Sequence, residues 1–133
     1  MFDHERLDVY RLSLDFVGWI HALVRPLNST ERHVRDQLLR SSLSIPLNIA
    51  EGNGKRPGAD RARFIQIAIG SATECSAALD VLVVCQVVDA NTVAEGKRNL
   101  SRIVAMLTRL AASVAGSREE TVAYGCVDPC DPA

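Results

Sequence analysis

The chain has 133 residues, enough for one hydrophobic core and short for two ordinary domains. Hydrophobic residues make up 47% of it, yet no uninterrupted apolar run approaches the roughly 20 residues that a membrane span requires; Leu79 to Val88 is broken by Asp80 and Gln86. Fifteen Lys and Arg against sixteen Asp and Glu give a formal charge of −1, which excludes a strong overall field for a polyanion.

The N-terminus, Met1-Phe2-Asp3-His4-Glu5-Arg6, mixes charges of both signs and lacks the apolar stretch and cleavage site of a secretory signal. A soluble, cytoplasmic protein with no membrane partner is expected. The first predicted helix spans about Arg6 to Val24. Tyr10, Leu14, Val17, His21 and Val24 recur at four- and three-residue steps, and Leu12, Phe16, Ile20 and Leu23 form a second stripe. His21 is read as a packed core histidine. Pro26 and Asn28-Ser29 end the helix, and Thr30 is the expected cap of the next one, with Glu31 in its first turn.

The second helix is expected from about Glu31 to Glu51, with Val34, Leu38, Ser41 or Ser42, Ile45 and Ile49 facing inward. Pro46 inside it removes a backbone donor and crowds the Ser42 carbonyl, which predicts a bend. Gly52 and Gly54 are read as the positive-φ residues that close the helix.

The third helix, about Ala59 to Val88, carries the heptad Phe64, Ala68, Ser71, Cys75, Ala78, Leu82 and Cys85. Ile65, Ile69, Ala72, Leu79 and Val83 form a second stripe, which predicts contacts between subunits. After a turn at Asp89-Ala90-Asn91-Thr92, a fourth helix runs from about Val93 to Ala115 on Leu100, Ile103, Leu107, Leu110 and Val114, with Gly116 ending it. Short connections between long helices imply an all-α, antiparallel, up-down-up-down four-helix bundle over residues 1–116. Residues 117–133, at net −3, read as an acidic, disordered tail.

No motif for catalysis, metal or cofactor emerges. Gly54-Lys55 would belong to a phosphate-binding P-loop only with Gly in place of Ile49 and Ser or Thr in place of Arg56, and a helix rather than a strand precedes it. A di-iron bundle needs Glu-x-x-His, which is absent. Cys75, Cys85, Cys126 and Cys130 form no Cys-x-x-Cys pair; Cys75 and Cys85 read as small hydrophobes and Cys126 and Cys130 as reducible tail thiols. Sequence separation alone does not make Glu51 and Glu74 a general-acid pair.

Two polar groups stand out. Asn48, Glu51, Gly52, Arg63 and Glu74 lie where a hairpin of the second and third helices would bring Glu51 to Arg63 and Asn48 to Gly70-Ser71, fixing helix register or lining a partner cleft. Lys55, Arg56, Arg61 and Arg63, opposed by Asp60, form a cluster of net +3 that suits phosphates without reading base sequence. Arg35 and Arg40 on the second helix would extend it, with an ion pair between subunits as the alternative role of Arg40.

The run Asn48-Ile49-Ala50-Glu51-Gly52, with Gln37, Leu38, Arg40 and Ser44-Ile45 before it and Gly54-Lys55, Arg63-Phe64, Ile67-Ala68, Gly70-Ser71 and Glu74 after it, resembles the four-helix bundle family also called the 23S rRNA intervening-sequence protein family. The likeness begins at Leu7-Asp8-Val9-Tyr10 and extends to about residue 115. It implies an antiparallel four-helix bundle and homopentameric rings. Some members are encoded within intervening sequences of 23S rRNA genes, and a related accessory factor of diversity-generating retroelements binds nucleic acid and a reverse transcriptase. The expected function is therefore a non-enzymatic, oligomeric protein that binds RNA or DNA through Lys55, Arg56, Arg61 and Arg63. The alternative is a protein-interaction scaffold without direct nucleic-acid binding.

Overall fold

The computed structural model describes the backbone of residues 2–122 and the side chains of residues 2–114. It is all-α: α1 spans Asp8–Val24, α2 Arg32–Asn53, α3 Ala59–Val84 and α4 Ala90–Val122, with single 3-10 turns at Asp3–Arg6 and Ser29–Glu31. α1 packs on α2, α2 on α3, α3 on α4 and α4 on α1, with no close backbone approach between diagonal helices among the described residues, so the core fills the centre of a square. Phe16, Ile20, Leu38, Ile45, Ile49, Leu79, Leu82, Ile103 and Leu107 are fully buried there.

The inward stripe of α1 is Val9, Ser13, Phe16, Ile20 and Val24 rather than the run through Leu14 and His21, both of which are exposed. The 3-4 alternation supported either face, and neighbour contacts selected Phe16 and Ile20. Asn28, not Thr30, provides the cap before α2: its Oδ1 accepts from the Thr30 amide at 2.9 Å. α2 continues without interruption through Pro46, which is buried, and of its predicted inward stripe Leu38, Ser41, Ser42, Ile45 and Ile49 are buried and Val34 partly so.

On α3 both predicted stripes turn inward. Ala68, Ser71, Cys75, Ala78 and Leu82 are buried together with Ile65, Ala72 and Leu79. Because α3 has a helix on each side, two stripes are satisfied within one chain, and the double stripe does not by itself call for a second subunit. By length and composition alone α3 is also long and apolar enough to cross a bilayer. Cys85 departs from the expected pattern and is exposed.

α3 ends earlier than expected, at Val84. Gln86 adopts φ 62°, and the Val87 amide donates to the Leu82 carbonyl at 2.9 Å, the closing bond of a left-handed helix terminus. Asp89 caps α4, its Oδ1 accepting from the amide and hydroxyl of Thr92, both at 2.8 Å. α4 runs through Gly116 to Val122, so helix occupies the start of the segment read as a tail. The remaining tail, with Cys126 and Cys130, lies outside the described residues.

Candidate nucleic-acid interface

Gly52 is buried on α2 where the chain must turn back toward α3. A Cβ there would lie 2.9 Å from the Phe64 Cβ and 3.3 Å from the Arg61 carbonyl oxygen. The glycine permits close approach of the helices and is not a positive-φ terminus. Gly54 is likewise right-handed at φ −81°; the left-handed glycine of the connection is Gly58, at φ 138°.

Arg61 is committed to holding this connection. Its Nε donates to the carbonyls of Gly52 at 3.2 Å and Lys55 at 3.0 Å, and its Nη2 to those of Asn53 at 3.0 Å and Lys55 at 2.6 Å. The Gly52 and Asn53 carbonyls lie at the C-terminus of α2, where a cation also complements the helix dipole, and that of Lys55 lies in the connection just beyond it. The half-buried guanidinium is thereby withdrawn from the role expected of it as a phosphate contact.

The other three cations keep their heads toward solvent. Lys55 pairs with Glu51 at 3.3 Å and Arg63 with Asp60 at 3.2 Å, in both cases with side chains more than one-third exposed. Both approach the Phe64 ring, the Arg63 guanidinium at 4.5 Å and the Lys55 ammonium at 5.6 Å from its centroid. Arg56 is exposed and has no partner among the described residues. Glu51 therefore belongs to the cluster and lowers its net charge from +3 to +2, and the expected Glu51–Arg63 pair is replaced by two local ones. Such exposed pairs bind weakly and are readily exchanged for phosphate.

Farther along the α2–α3 seam the remaining motif residues form two short relays. The Asn48 amide donates to the Ser44 carbonyl at 2.8 Å and to its hydroxyl at 2.9 Å, and Ser71 donates to that hydroxyl at 2.8 Å. Asn48 thus reaches Ser71 through Ser44 rather than directly. Gln37 donates to the Ser41 hydroxyl at 2.8 Å, which in turn donates to Glu74 at 3.5 Å. Residues of α2 in ascending order therefore meet residues of α3 in descending order. Spacing alone did not reveal the linking serines, since a hydroxyl in an apolar heptad passes for a small core residue. Among the described residues no group of three His, Cys, Asp or Glu side chains is placed to hold a metal.

Helices joined in sequence order around one core, with a polar α2–α3 seam and a basic connection, define an all-α four-helix protein. The chain belongs to the 23S rRNA-intervening sequence protein family, whose match covers residues 5–109. It is similar to a solved structure from Bacteroides thetaiotaomicron VPI-5482, described as a protein with unknown function from the S23 ribosomal protein family. The identity is 25% and the TM-score 0.70, over 77% of this chain and 97% of that one. No curated protein matches.

Proposed function

We propose that this is a non-enzymatic, cytoplasmic protein that assembles as a homopentameric ring and holds RNA or DNA by its phosphates at the α2–α3 connection. The observation that carries the reading is Arg56, exposed and unpartnered in the connection that also holds Lys55 and leads into the N-terminus of α3, where Arg63 lies. That terminus has no side-chain cap, so its amides add positive potential to the three side chains. Repetition around a ring would multiply a modest local charge into a belt that contacts several phosphates.

The antiparallel, up-down-up-down arrangement is part of this reading. It is supported by the reversed order of contacts along α2 and α3, and by Trp19 lying against Gly96 while Leu7 and Val9 line a pocket with Met106 and Leu110. Ring assembly is supported by family membership and by large apolar side chains left exposed on neighbouring helices: Leu43 and Leu47 on α2, Ile67 and Val81 on α3. Those same side chains favour the second reading, a scaffold that captures another protein and binds no nucleic acid.

Titration of a fluorescent structured RNA and a duplex DNA over several salt concentrations tests the first reading. A Lys55→Ala/Arg56→Ala/Arg63→Ala variant, which leaves Arg61 in place, should lower the slope of log K against log salt by about 2 to 3. Absence of binding at low salt by the wild-type protein would overturn the reading in favour of the scaffold. A monomer in sedimentation at micromolar concentration would overturn the ring.

A further inference from the structure

The core stripe of α4, through Val93, Leu100, Ile103, Leu107 and Val114, is buried. The opposite stripe of the same helix reads Glu95, Arg98, Arg102, Ala105, Arg109 and Ala112 at alternating three- and four-residue steps, and every one of these residues is exposed. Three arginines therefore stand in line. At 1.5 Å rise per residue, Arg98 and Arg102 are about 6 Å apart along the axis and Arg102 and Arg109 about 10 Å apart.

A helix face that merely meets water usually alternates its charges, so that residues one turn apart attract. This one does not. Arg98 and Arg102 are like charges one turn apart, and Glu95 is the sole carboxylate in residues 90–114. The ion pairs among the described residues join Arg11 to Asp8, Arg35 to Asp36, Lys55 to Glu51, Arg63 to Asp60 and Lys97 to Asp80, and none involves the three arginines. Nor does any of the three have another polar partner among those residues. The one lysine of α4 is thus neutralised across the α3–α4 groove, whereas the outward arginines form no ion pair among the described residues, although Arg98 shares a groove with Asp80 and Arg109 one with Asp8. Ala105 and Ala112 keep the ridge low between and beyond them, so that an extended strand can lie against it.

We propose that the outward face of α4 is a second nucleic-acid surface, on which Arg98, Arg102 and Arg109 contact phosphates of one backbone. The ligand class rests on the nucleic-acid reading above; the surface does not, since α4 contributes no residue to the α2–α3 connection. A row about 16 Å long spans roughly five phosphates of one duplex strand, given one per 3.4 Å of axis, so three contacts fit along it. Each guanidinium offers paired donors to a phosphate, and contacts made to phosphates carry no sequence information, so the surface is sequence-tolerant.

The test is fluorescence anisotropy with a labelled 20-base-pair RNA duplex and a labelled single strand, from about 50 to 300 mM salt, a range over which phosphate contacts dominate. Four proteins are compared: wild type, Arg98→Ala/Arg102→Ala/Arg109→Ala, the corresponding triple Arg→Lys variant, and the loop variant described above. Circular dichroism melts verify that each is folded, and alanine at exposed helix positions favours helix. The triple alanine variant should lose about 2 to 3 from the duplex salt slope and on the order of 100-fold in affinity near 0.1 M salt. The triple lysine variant should keep the slope, because it keeps the charge. An unchanged slope in the folded triple alanine variant, with the loop variant impaired, would overturn the α4 surface and leave the loop reading standing. The reverse pattern would support α4 and remove the loop. No binding of either polymer by the wild type would overturn both.

Discussion

Between α2 and α3 the backbones meet at a buried glycine, and the space above it is filled by hydroxyls, amides and the Arg61 guanidinium. Between α1 and α4 there is also a glycine, Gly96, but its partner is one indole: the six-membered ring of Trp19 occupies the space a Cβ would need, and Trp19 stacks on Phe16 with ring centroids 5.9 Å apart. The first seam is specific through direction, since every hydrogen bond fixes which residues face each other. The second is specific through shape alone. Within the motif, Gln37, Ser44, Asn48, Gly52, Ser71 and Glu74 belong to the first seam, so these residues describe how the hairpin is built before they describe any ligand.

The contrast is sharpened by substitutions that fill or empty each seam. Gly96→Ala should be the most damaging, by about 3 kcal/mol, because its Cβ would overlap a rigid aromatic ring held from behind by Phe16. Urea unfolding would measure it, and a smaller residue at Trp19 should recover part of the loss. Gly52→Ala should cost about 2 kcal/mol, since the obstructing atoms are a Cβ and a carbonyl oxygen rather than the tip of a flexible chain.

Arg61→Ala should destabilise by about 2 kcal/mol through loss of charge-assisted bonds to the end of α2. Arg61→Lys should recover less than half of this, because an ammonium cannot reproduce the fork that reaches Gly52, Asn53 and Lys55 together. If Arg61→Lys were instead indistinguishable from wild type, the guanidinium would be acting as charge alone. The smallest effect is a gain. Gly70 is exposed and a Cβ there meets nothing within 4 Å, so Gly70→Ala should stabilise the folded chain by about 0.5 to 1 kcal/mol. Were oligomers to dissociate in that variant, the flat spot at Gly70 would mark the surface between subunits.

Helix number and the inward faces of α2 and α4 were legible because Leu38, Ile45 and Ile49, and Leu100, Ile103 and Leu107, each have one apolar stripe and one solvated one. α1 and α3 carry two stripes, and periodicity cannot say which is covered. On α3 the answer was both; on α1 it was the Phe16 side. At the candidate site, composition identified the basic cluster but could not distinguish Arg56, which is free, from Arg61, which is consumed by carbonyls six to nine residues earlier in the chain. That distinction depends on the path of the loop through Gly58, which is a property of the folded hairpin. The three arginines of α4 were visible as letters, yet their alignment acquires meaning only once the opposite stripe is known to be the core.

The two described cysteines have opposite chemical fates. Burial, with a smaller contribution from Glu74, raises the Cys75 thiol to about 12, so at neutral pH it is neither ionised nor reachable, while Cys85 lies open at the end of the same helix. An alkylating reagent should therefore label Cys85 in the native protein and reach Cys75 only when α3 parts from its neighbours. Peptide mapping resolves that site from the other thiols, and its labelling rate would time the breathing of the bundle without any engineered probe.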